Sequence, residues 1–92
     1  MTTSKKKIQI DRVQTGIRIE KKILKVLKGV ADYKDLTLGQ MLELILLHAF
    51  ENRPCFSKEG YEAINSLKKI HDVHYNAHDY LKFIESNEKT GG

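Results

Sequence analysis

"QTGIRIEKKIL", residues 14–24, changes its hydrophobic period part-way along. Thr15, Ile17 and Ile19 alternate with Gln14, Gly16 and Arg18, the period of two of a half-buried strand. From Ile23 the apolar residues fall at Ile23, Val26, Leu27, Val30 and Ala31, which is the spacing of one helix face. The pattern predicts a short strand over 13–19 and a helix over 20–33. Ile8 and Ile10 sit on even positions while Val13, Ile17 and Ile19 sit on odd ones, so a bulge or a separate arm is expected near Asp11 and Arg12. The strand has no obvious partner strand in the chain.

Downstream, Thr37 and Gln40 have the spacing of a capping box and open a second helix, "LGQMLELILLHAFEN". This helix is apolar on nearly every side from Met41 to Phe50, and one amphipathic helix and one strand cannot enclose it. A second copy of the chain can, and it also supplies the missing strand by two-fold pairing. Pro54 ends the second helix, and Ser57 caps a third with Tyr61, Ile64, Leu67 and Ile70 on one side. Asn76 either caps a short fourth helix carrying Tyr80, Leu81 and Ile84 or lies within a third helix that runs straight through.

Ninety-two residues make one domain at most, and so short a chain buries too little surface to be indifferent to a partner. The charge is unevenly placed. Residues 1–28 hold nine lysines and arginines against Asp11 and Glu20, whereas the rest of the chain holds seven against ten acids. A basic end on a mildly acidic body suits a polyanion partner, because each cation near a phosphate releases condensed counterions. The single cysteine, Cys55, has no internal disulfide partner and suits a reducing setting. "MTTSKKK" lacks the apolar core of a secretory signal, and no apolar stretch is long enough to span a bilayer, so a cytoplasmic protein is expected.

The order strand, helix, short turn, capped helix, written as "RVQTGIRI", "EKKILKVLKGVADY", "KDLT" and "LGQMLELILLHAFE", resembles the ribbon-helix-helix DNA-binding family over residues 12–52. The resemblance implies a mainly α fold in which two chains share one intermolecular antiparallel ribbon that enters the DNA major groove. Around it the chain divides into a flexible basic arm at 1–11, a helical C-terminal extension at 53–86 and a disordered tail at 87–92. It further implies a homodimer core of Ile17, Ile19, Ile23, Leu27, Val30, Met41, Leu42, Ile45, Leu46 and Ala49.

The outward face of the strand then holds Arg12, Gln14, Gly16 and Arg18 as base contacts, since arginine suits guanine and glutamine suits adenine. Gly16 departs from the family pattern, in which this central position carries a base-reading side chain. The resemblance places phosphates on the start of the second helix, at Thr37, Leu38 and Gly39, whose amides and dipole favour anions. Lys5, Lys6, Lys7, Lys21 and Lys22 are further phosphate contacts. Asp35 stands where a glycine is common in such turns and tolerates the left-handed conformation.

His71, His74 and His78 would share one face only if the third helix ran unbroken, and the reading taken is that there is no metal site. His48 reads as a hydrogen-bonded core or interface residue, and Cys55 as a buried or rim thiol. No catalytic arrangement, phosphate loop or cofactor motif stands out, so a non-enzyme without a cofactor is expected. The function that follows is a sequence-specific duplex-DNA-binding repressor acting as a homodimer, with higher-order assembly on DNA left open. The alternative is an interaction module, such as an antitoxin whose residues 53–86 bind a partner protein.

Overall fold

The computed structural model describes residues 7–86. Three helices of equal length form: α1 (Lys21–Tyr33), α2 (Leu38–Phe50) and α3 (Lys58–Ile70), followed by a short 3-10 turn at Ala77–Lys82. Each has a side-chain cap at its start. Glu20 accepts from the amide of Ile23, Thr37 and Gln40 close the predicted capping box, and Ser57 accepts from the amide of Gly60.

The three helices also stop in the same way. Asp35, Asn52 and Asp72 take positive φ of 59°, 56° and 62° just beyond the C-caps. At each end two amides turn back onto the last carbonyls: Leu36 on Ala31 at 2.8 Å, Arg53 on His48 at 2.9 Å and Val73 on Lys68 at 2.8 Å close the wider rings. Asp35, Asn52 and Asp72 themselves bond Asp32, Ala49 and Lys69. These are Schellman terminations built on Asp and Asn, which tolerate the left-handed region better than other non-glycine residues.

The first helix lies between the other two, packing on both α2 and α3. Its apolar stripe buries Val30 and Ala31 against Met41 of α2, the three buried hydrophobic residues among those described. Val26, Leu27, Ile45, Phe56, Ile64 and Leu67 are packed around them and half-buried. Gly29 sets the approach of α3, because a Cβ there would meet Leu67 Cδ2 at 2.7 Å.

The expected ribbon is not present. Among the described residues there is no strand: residues 7–20 run without regular structure and are almost wholly exposed. A strand needs a second edge for its amides and carbonyls, and within this chain residues 13–19 meet none. The architecture is therefore helical, and the ribbon-helix-helix fold read from the sequence is corrected to an arm followed by three helices and a tail. The capped start of the fourth element does form, with Asn76 and Asp79 bonding reciprocally, but it makes a 3-10 turn and not an α-helix. The flexible arm and disordered tail expected at 1–11 and 87–92 lie, for residues 1–6 and 87–92, outside the described residues.

Two stability outcomes follow from this packing. Met41→Ala removes the one side chain that is wholly buried and should cost about 2–5 kcal/mol in urea unfolding. Asn52→Val, which forces a β-branched residue into positive φ, should cost about 1–2 kcal/mol, whereas Asn52→Gly should be tolerated.

Candidate nucleic-acid interface

The arm has no regular structure, but its two arginines are each paired with a carboxylate. Arg12 clamps Glu43 of α2 with two parallel bonds, Nε to Oε2 and Nη2 to Oε1, both 2.8 Å. The hydrogen bonds and charge of Arg12 hold the Glu43 carboxyl below its usual range. Arg18 pairs with Glu85 of the tail. Lys22 donates to the carbonyl of Asp72 at 3.2 Å and faces its carboxylate at 3.6 Å. Two of the four residues expected to read bases are thus held by carboxylates. Gln14 and Gly16 are exposed, and a Cβ at Gly16 would meet open space.

At the root of the arm Glu20 joins three segments. It caps α1, and it accepts a hydrogen bond from the hydroxyl of Tyr75 in the tail. Burial raises the Glu20 pKa, but the bonds from Tyr75 and the amides of Ile23 and Lys22, with the charge of Lys22, outweigh it and hold the carboxylate low. Tyr75 is pushed the other way, up to about 12, by burial and by Glu20.

Beyond the arm the positive surface continues along α1. Lys21, Lys25 and Lys28 are exposed at i, i+4 and i+7, opposite the buried Val30 stripe. Lys25 and Lys28 were not among the expected contacts, although their helical spacing with Lys21 is visible in the sequence. At the start of α2 the Thr37 amide is used by Gln40 Oε1 at 2.9 Å, and the Gln40 amide by Thr37 Oγ1 at 3.1 Å. The amides of Leu38 and Gly39 remain for an anion, and Gly39 is exposed with open space beside it. Of the expected phosphate contacts, Lys7 is exposed, and Lys5 and Lys6 lie outside the described residues.

Comparison with family models, with curated proteins and with solved structures finds no match.

The residues expected in a dimer core separate into two groups. Val30 and Met41 are buried within the chain, and Leu27, Leu42 and Ile45 are half-buried. Ile17, Ile19, Ile23, Leu46 and Ala49 are exposed, as are Leu47 and Phe50 beside them. His48 bonds the carbonyl of Leu44 through Nδ1 at 2.8 Å. Cys55 packs half-buried against the core. The unbroken helix that would align three histidines does not form. His71 caps α3, the chain turns at Asp72, His74 pairs with Asp72, and no metal-binding group is found among the described residues. Among those residues no helix is long and apolar enough to cross a membrane.

The contact between Glu20 and Tyr75 gives a signed pH dependence. Tyr75 has its folded pKa above the ordinary 10.0, so its contribution is whole below pH 10 and is lost as the pH climbs toward about 12. Glu20, held below its ordinary 4.5, contributes above that pH and loses its share on acidification through it. Tyr75→Phe should abolish the highest step of the tyrosinate absorbance titration and flatten the alkaline fall in melting temperature.

Proposed function

We propose that the chain is a sequence-specific duplex-DNA-binding protein that acts as a homodimer and represses transcription by occupying its site. One observation supports this reading above the others. The exposed cations of the arm, Lys7, Arg12 and Arg18, lead along the chain into Lys21, Lys25 and Lys28 on the exposed face of α1, while the rest of the sequence is mildly acidic. The arm is the reading segment, an extended basic stretch that a groove can accept without a sheet. Arg18 and Gln14 address bases, while α1 and the Leu38 and Gly39 amides address phosphates.

The pairing of Arg18 with Glu85 does not oppose this. An exposed ion pair is worth about 0.2–1 kcal/mol, and a bidentate arginine–guanine contact about 1–3 kcal/mol, so DNA takes the arginine from the tail. The second copy docks on the outer side of α2. There Leu47 is 56% exposed and Phe50 77%, an apolar face that α1 does not reach.

A second reading, capture of a protein partner by residues 53–86, is supported by Leu81 and Ile84, which are 93% and 92% exposed. Because α3 packs on α1, deleting this region would uncover the core, and Leu81→Asp with Ile84→Asp is the cleaner test.

Selection of sites from random duplex DNA at two salt concentrations should enrich a palindrome, and binding without enrichment at either salt would overturn the reading. Arg18→Ala should weaken the selected site by about 1–3 kcal/mol and leave sedimentation unchanged. Leu47→Glu with Phe50→Glu should turn the dimer into a monomer in the same sedimentation run.

A further inference from the structure

Between α1, α3 and the tail, with Ile45 of α2 and Phe56 also in its lining, lies a half-open cavity of about 330 Å³, near the lower end of the range for small-molecule sites. Val26, Leu27 and Val30 line it from α1, the same stripe whose other flank builds the core. Facing them, the tail contributes aromatic rings. Phe83 stands edge-on to Tyr75 with ring centres 5.1 Å apart and tilted against Tyr80 at 5.2 Å. An aliphatic wall opposite an aromatic one suits a slim, largely apolar body such as fused or linked rings.

One cation belongs to the lining: Lys68 of α3, half-buried, with no carboxylate partner among the described residues. A half-buried lysine packs its methylenes on apolar surface and keeps its ammonium hydrated, so an anionic end on the guest would find a counterion in Lys68. Of the two tyrosines in the lining, Tyr75 and Tyr80, the first already donates its hydroxyl to Glu20.

Other occupants fit less well. One turn of a helix about 10–12 Å across takes up more than this volume, so a helix could not be enclosed in it. The chain's own last residues, NEKTGG at 87–92, carry no apolar side chain to place in it. We propose that this cavity is a binding site for a small amphipathic molecule with an apolar, ring-bearing body and one anionic group, the body held between α1 and the tail rings and the anion by Lys68. The site stands whether or not the chain binds DNA.

The probe is 8-anilinonaphthalene-1-sulfonate, which has this chemistry, titrated into the full chain with fluorescence readout. N-phenyl-1-naphthylamine serves as its uncharged counterpart. One sulfonate probe per chain is expected. Lys68→Met should weaken it by about tenfold and leave the uncharged probe within about twofold, as loss of a charge-assisted contact requires. Ala77→Phe, which puts a ring into the space from an exposed position, should abolish binding of both probes with circular dichroism unchanged.

Equal binding in both variants would overturn the proposal. So would loss of the signal in Leu47→Ser with Phe50→Ser, which would put the probe on the outer face of α2. Binding that emerges only on dilution, as copies separate, would also overturn it, by making the cavity a seat for a second chain.

Discussion

The contact of Val30 and Ala31 with Met41 holds everything else in place. These three residues are the buried core, and they join the stripe of α1 to the inner side of α2. Because α1 also carries α3, this helix is the shared wall of both packings, and its outward lysines are presented rigidly as a result. A core of this size gives a small chain little margin. The apolar surface left over on α2 is the physical reason to look for a second copy.

Charge is arranged around that wall with a consistent sign. The arm and the outer face of α1 are basic, and each cation that is tied down is tied by a carboxylate from another element: Glu43 of α2, Asp72 at the end of α3 and Glu85 of the tail. These links are exposed, so they position the arm without locking it. Arg12 and Arg18 are thus held near the body by pairs that exchange readily with solvent.

Local features were largely legible in the sequence. The α1 stripe, the Thr37–Gln40 box, the Ser57 cap and the left-handed turn at Asp35 are all written in spacings of a few residues, and each is found. The strand was misread because alternation at 13–19 describes which side chains point together, whereas a ladder also needs a second edge. The stop at Asp72, which separates the three histidines, carries no glycine to announce it. Glu43 lies 31 residues from Arg12, and Tyr75 lies 55 from Glu20, so neither partnership has a periodic signature. The cavity is likewise a product of several segments meeting and has no trace in any one of them.

The ring of hydrogen bonds closed between Val73 and Lys68 separates α3 from the segment that follows. Since α3 satisfies its own last carbonyls there, nothing in its ladder depends on the segment that follows. The stretch from Tyr75 to Glu85 is held by the tyrosine–glutamate bond, the Arg18–Glu85 pair and its side-chain contacts, so releasing these would free it beyond Val73 with α3 still seated on α1. Sub-global opening of this kind involves only the lightly buried end of the molecule, and amide exchange protection in the tail would be set independently of protection in the helix that precedes it.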